Sequence, residues 1–113
     1  MDEVSAAQQE AVMREVNEAI ESGFAPAAED EHVRMRCECG APDCNSLINV
    51  RVADYEHIRE NPRLFILAHG HHQPEVERIV ARTVDWVVVE KVGRAGEIAE
   101  RTDPRGEDEP PRA

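Results

Sequence analysis

This sequence predicts a small α+β fold, and three observations carry the prediction. Two runs alternate apolar with polar residues, at 33–35 and 48–52, on either side of a cysteine-rich turn. Residues 86–91, Trp-Val-Val-Val-Glu-Lys, form a β-branched run of strand length. Near the N-terminus, apolar residues recur at helical spacing instead. The expected architecture is a small, mostly antiparallel sheet with a cysteine-tipped hairpin, short packing helices and an N-terminal amphipathic helix.

In chain order, Ser5 and Gln8 have capping-box spacing, and nothing breaks a helix from there to Ser22. Val12, Val16, Ala19 and Ile20 make a narrow apolar stripe that should pack on the domain, and Gly23 stands where helices end. Residues 25–31 read as an acidic linker. Val33 and Met35 then lead into the first cysteine. After Cys44, the alternation of Ile48, Val50 and Val52 gives the returning strand, so that the thiols sit at a hairpin tip. Asp54 should cap a short helix over residues 55–60, which Asn61-Pro62 stops. Residues 64–68 have strand character. From Pro74, the spacing of Val76, Ile79, Val80, Thr83 and Val84 predicts a helix, although their β-branched content also suits a strand. A strand at 86–91 and a last helix at 95–101 complete the domain. The expected organisation is an acidic helix at 1–24, a linker at 25–31, a metal-binding domain at 32–102 and a disordered tail at 103–113, where three prolines stand among charged neighbours.

Charge is unevenly placed. The chain of 113 residues carries a net charge of -11. Residues 1–31 hold nine acids against Arg14 alone, whereas residues 32–102 are close to neutral. Like-charge repulsion disfavours nucleic-acid binding by the N-terminal part, which reads as a solvated acidic face or a helix that docks on a basic partner. Arg34, Arg36, Arg51, Arg59 and Arg63 would revive a nucleic-acid role if they formed one face. No apolar run approaches the ~20 residues of a membrane span. The acidic opening Met-Asp-Glu lacks the basic region of a secretory signal, so the expected compartment is the cytoplasm.

All three cysteines fall within C37-E-C-G-A-P-D-C44. Cytosolic thiols stay reduced, and an odd number leaves one over in any disulfide scheme, so the cluster points to metal or redox chemistry. Zinc takes four soft ligands, and Gly40 and Pro42 allow the loop to fold back on itself. Three thiolates leave one vacancy, and His69, His71 and His72 cluster on a turn where one could fill it. The expected site is Cys37, Cys39, Cys44 and His71 around a structural zinc. If no histidine binds, a water could complete the site with Glu75 or Glu77 as general base, giving a zinc hydrolase. A Cys37–Cys39 or Cys39–Cys44 redox pair is the other alternative. The spacing matches no iron–sulfur pattern. His32 and His57 read as surface residues.

The ordered elements "CECGAPDC", "ADYEHIRENPRLFI", "HGHHQPEVERIV" and "WVVVEKVGRAGEIAERTDPR", preceded by "REVNEAI", resemble a family of small uncharacterised actinobacterial proteins. In that family a Cys-Glu-Cys element precedes a Glu-Tyr-Glu helix, a Pro-Gly-His turn and a Val-Val-Glu-Lys strand. The resemblance covers roughly residues 12–105. It implies that His71 corresponds to the histidine of the Pro-Gly-His turn, with His69 in place of the proline and Asp54 in place of the first glutamate. It implies no activity. The function expected from the sequence is a zinc-stabilised interaction or regulatory module, whose partner is a protein rather than nucleic acid or a membrane.

Overall fold

The computed structural model describes residues 3–23, 31–41 and 43–105. Alternation decides the first two strands. In β1 (His32–Arg36) and β2 (Leu47–Arg51), Val33 and Met35 pair across the hairpin with Val50 and Ile48, and all four are buried. The opposite face stays in solvent. The chain then turns directly into α2 (Val52–Ile58). That helix starts earlier than the expected capping by Asp54: Arg51 holds the cap position, and Asp54 lies in the first turn, paired with Arg51 at 3.1 Å. Val52, Tyr55 and Ile58 face inward, at i, i+3, i+6 spacing.

β3 (Leu64–Leu67), β4 (Glu77–Arg82) and β5 (Val87–Lys91) form a second antiparallel sheet in the order β3-β5-β4. β5 is central and buried almost throughout. β4 corrects the helix expected from residue 74. Four of the five apolar-spaced residues there are Val or Ile, whose side chains lose rotamer freedom in a helix, and β5 offers them a long-range partner. Ile79 pairs with Val89, while Glu77 pairs with Lys91 and drives its charge inward. A bulge between Ile79 and Ala81 leaves Val80 exposed.

The hairpin and the second strand set form two sheets where one was expected. A single main-chain bond, from the Glu38 N–H to the Ile66 carbonyl at 2.9 Å, links them. The Ile66 N–H does not return to the main chain. It donates to the Glu38 carboxylate at 3.1 Å, so a side chain replaces the next rung of the ladder. Ile66, Trp86 and Val88 pack from this sheet against the hairpin core. The Trp86 indole N–H also donates to the Asn49 carbonyl at 3.2 Å.

α1 (Glu3–Gly23) packs on this body, as expected, but only part of the expected stripe faces inward. Its buried residues are Ala7, Glu10, Ala11, Arg14 and Asn17; of the stripe, Ile20 packs against the core and Val16 is half-buried, whereas Val12 and Ala19 are exposed. Each buried polar side chain has a built partner. Glu10 meets Lys91, which also holds Glu77. The Arg14 guanidinium donates to the carbonyls of Pro62 (2.7 Å) and Ala99 (2.8 Å) and stacks 4.3 Å over Phe65. Ser5 stands inside the helix rather than at its cap. α3 (Gly93–Arg101) buries Ala95, Ile98 and Ala99 against α1 and β5.

The expected tail begins too early. Asp103 is buried against Arg59, which also holds Glu18 at 2.6 Å, and Arg105 bridges Glu18, Glu21 and Glu56. The expected linker, apart from Glu31, and residues 106–113 lie outside the described residues.

Burial against one lysine shared with a second carboxylate carries a consequence for pH. Desolvation pushes Glu10 up to about 8 despite the Lys91 ammonium, and the Glu77 charge adds to the rise. A folded value above the unfolded 4.5 means that the protonated form favours the fold. This stabilisation is complete below about 4.5 and is lost as pH rises through about 8. Thermal melts should therefore show a falling Tm across that window, with a shallower fall in Glu10→Gln, which cannot ionise.

Candidate metal centre

Cys37 and Cys39 continue β1 beyond its last paired residue, and Cys44 comes back on the return. The loop between them is closed by two main-chain bonds, Cys37 N–H to the Ser46 carbonyl at 3.0 Å and Cys44 N–H to the Ala41 carbonyl at 3.1 Å. Gly40 takes φ of 80°, a left-handed conformation that lets the chain reverse where a side chain would be strained. The histidine arrives from the far side of the fold. After β3 the chain turns at Gly70, φ 83°, and the His71 N–H bonds back to the Ala68 carbonyl at 3.3 Å.

These two turns place Cys37, Cys39, Cys44 and His71 so that one ligand atom from each lies within 4.8 Å of the others. His71 Nδ1 stands 3.4 Å from Cys37 Sγ and 3.6 Å from Cys44 Sγ. A tetrahedral ion with bonds of about 2.3 Å to sulfur and 2.0 Å to nitrogen sets S···N edges near 3.5 Å and S···S edges near 3.8 Å. The four side chains could therefore hold a metal ion with little rearrangement. The remaining histidines do not join them. His69 is exposed, with Nε2 2.7 Å from the Thr83 carbonyl oxygen, and His72 is outside the group. His32 and His57 are exposed, as expected. No disulfide joins the three cysteines.

The thiols differ in surroundings. Cys37 is buried and accepts from the Ala68 N–H at 3.2 Å. Its hydrogen bond to Cys39 and its burial push it up, while the same bond brings Cys39 down to about 4. Hydrogen bonds from the Ala41 N–H, His71 and Cys44 add to the lowering at Cys39. An open cavity of about 370 Å³ borders the cluster, and its lining includes Cys39, Cys44 and His71 together with Asp43, Asn45 and Gln73.

Neither carboxylate considered as a general base lines the cavity beside the cluster. Glu77 is buried on Lys91 and accepts from the Gln73 N–H at 2.8 Å, and Glu75 is exposed on the turn before β4. Sequence reasoning missed Glu38, the residue between the first two cysteines. Its side chain is fully buried and points away from the sulfurs into the core. There it accepts from Asn17 Nδ2 at 2.7 Å, from the Tyr55 hydroxyl at 3.3 Å and from the Ile66 N–H. Asn17 also clasps the Arg36 main chain, its Nδ2 donating to the carbonyl and its Oδ1 accepting from the N–H, both at 2.8 Å. Strand alternation would put Glu38 beside Arg34 and Arg36 in solvent, so no local signal could have found it.

Comparison of the chain with family models, curated proteins and solved structures finds no match. Among the described residues, no helix is long and apolar enough to cross a membrane.

Glu38 gives the centre's structural dependence a direct test. Glu38→Ala leaves the Tyr55 hydroxyl and the Ile66 N–H without an acceptor and removes one of the two that Asn17 Nδ2 has, and should cost roughly 3 kcal/mol, each lost partner contributing about 1–3 kcal/mol less any relaxation. Urea denaturation, followed by fluorescence of the single tryptophan, Trp86, measures the loss.

Proposed function

We propose that the chain is a zinc-stabilised interaction module, with Cys37, Cys39, Cys44 and His71 as the four ligands of a structural ion. The observation that carries this reading is the convergence of three sulfurs and one imidazole nitrogen within 4.8 Å, from segments 27 residues apart between Cys44 and His71. Soft thiolates with one imidazole suit zinc better than the hard cations. Four protein ligands fill a tetrahedral ion, which speaks for a structural role and against a hydrolytic one. The ion supplies folding free energy to a domain with four aromatic side chains in all. The actinobacterial resemblance is kept as part of this proposal, and it supports His71 independently of the geometry. A cytoplasmic setting belongs to the same proposal, since free thiols persist in a reducing compartment.

A second reading has one observation in its favour. Cys39 and Cys44 line the open cavity, and a buried Cys39 whose thiol pKa is lowered beside Cys44 suits a redox sensor. Metal content separates the two. Protein purified without chelator should carry one zinc per chain by elemental mass spectrometry. His71→Ala should retain clearly less, whereas His69→Ala and His72→Ala should retain all of it. Full zinc in His71→Ala would remove the fourth ligand, and metal-free wild type would remove the reading altogether.

A further inference from the structure

The three thiols of the cluster are not equally placed. Cys37 and Cys39 are buried, 2 % and 3 % exposed, whereas Cys44 is half-buried on the wall of the open cavity. Their hydrogen bonds differ in the same direction. Cys37 Sγ accepts from the Ala68 N–H at 3.2 Å, and Cys39 accepts from the Ala41 N–H. Among the described residues, the partners of Cys44 Sγ are His71 and Cys39, both members of the cluster, and no main-chain N–H donates to it. A hydrogen bond to a thiolate draws off the charge that makes sulfur a nucleophile, and burial keeps reagents out. Cys44 is spared both. The cavity also selects the kind of reagent. At about 370 Å³ it is near the lower end of ligand pockets. Asp43 and the sulfurs make its wall negative, and no Lys or Arg lines it, so an anionic reagent is disfavoured. Arg36, which donates to the Cys44 carbonyl at 3.4 Å, is not part of the wall. Asn45 and Ser46 contribute an amide and a hydroxyl that can donate to a carbonyl oxygen.

We infer that Cys44 is a modification site for small, neutral α,β-unsaturated carbonyl compounds, and that the adduct weakens the metal centre. The inference rests on the zinc reading for the thiolate state of the sulfur, whereas exposure and hydrogen bonding select Cys44 with or without an ion. A cysteine that coordinates zinc is deprotonated at neutral pH. Its sulfur adds to the β-carbon of the reagent and a C–S bond forms. The π pair of the C=C bond moves towards the carbonyl to give an enolate, and the α-carbon then takes a proton from water, which leaves as hydroxide. The step needs no oxidant, and no group departs from the reagent. Negative charge develops on the enolate oxygen, the atom that amide and hydroxyl donors in the wall can serve. The product is a thioether, which carries no charge and binds zinc less well than a thiolate. Cys37, Cys39 and His71 are then left to hold the ion, so contact with an electrophile becomes loss of metal.

The test treats the full chain, its zinc content measured beforehand, with a substoichiometric amount of N-ethylmaleimide. All three cysteines fall in one tryptic peptide, residues 37–51, and fragmentation mass spectrometry assigns the adduct among them. Cys44 should carry about tenfold more adduct than either buried cysteine, the rate equivalent of one hydrogen bond to a charged sulfur. The Cys44→Ser variant should take up the reagent more slowly, and the map on wild type decides the matter should that variant misfold. Singly modified protein should lose its zinc to a chelator faster than unmodified protein. The anionic reagent maleimidopropionic acid should react at Cys44 more slowly than N-ethylmaleimide. Most adduct on Cys37 or Cys39, an even spread over the three, modified protein that holds zinc as firmly as the unmodified, or faster reaction with the anionic reagent would each overturn the inference. Preferred modification of Cys44 in wild type that carries no zinc would instead leave the choice of cysteine standing and sink the zinc reading.

Discussion

One buried carboxylate decides how the parts of this protein sit together. Glu38 is wholly removed from water, and its two oxygens receive donors from α1, α2 and β3 while its own main chain begins the cysteine loop. Burial pushes its carboxyl up, and the hydrogen bonds from Asn17 and Ile66, with the nearby Arg14 and Arg59 charges, pull it back. An uncompensated charge there would be prohibitive, so the surrounding donors are a condition of the fold rather than an ornament to it. Remove the tie and, beyond their apolar packing, the two sheets keep the main-chain bond from the Glu38 N–H to Ile66 and the bond from the Trp86 indole to Asn49.

The same logic extends across the α1 interface. The helix seats Glu10 on Lys91, Arg14 on two carbonyls and Phe65, and Asn17 on the Arg36 main chain and Glu38, so its position is fixed by directional partners instead of an apolar stripe. Buried ion pairs are poor sources of net stability, since desolvation offsets most of the attraction, but breaking one is costly. Among the described residues, Arg14 Nε and Arg59 Nη1 have no hydrogen-bond partner, a residual cost that better-packed apolar residues would not carry. What such contacts supply is a single docking geometry. A leucine stripe would tolerate sliding by a turn, whereas Lys91 between Glu10 and Glu77 would not.

This explains what was legible in the sequence. The strands of the hairpin, β3, β5, the C-terminal helix and the Cys37–Cys39–Cys44–His71 cluster could be read because their signals are local: alternation, β-branched runs and the spacing of rare ligand types. The failures share one cause. The face of α1 that packs inward is largely polar, so hydrophobic periodicity finds Ile20, which packs on the core, but also Val12 and Ala19, which face water. Over β4 the helical spacing of Val76, Ile79, Val80, Thr83 and Val84 competes with the β-branched content that suits a strand, and what decides it, Glu77 opposite Lys91, spans fourteen residues. Asp103 and Arg105 sat in a proline-rich charged stretch and read as tail, yet their partners are Arg59, Glu18 and Glu56, far upstream. Long-range polar pairing leaves no periodic trace.

The Cys-Glu-Cys triplet joins these two kinds of information in three residues. Cys37 and Cys39 face the sulfur cluster, and Glu38 faces the core between them, so the triplet belongs at once to the candidate metal centre and to the tie that seats α1. On the zinc proposal, holding an ion fixes the main chain at both cysteines and hence the direction of the Glu38 side chain. Free energy from ligation then reaches Asn17 and Tyr55 with no contact between either residue and the ion. Linkage runs the other way as well: a helix that presents Asn17 to Glu38 holds the two thiols in their ligating arrangement before any metal arrives. The affinity of the centre is therefore a property of the whole interface, and a helix that docks through polar partners is what makes the coupling directional.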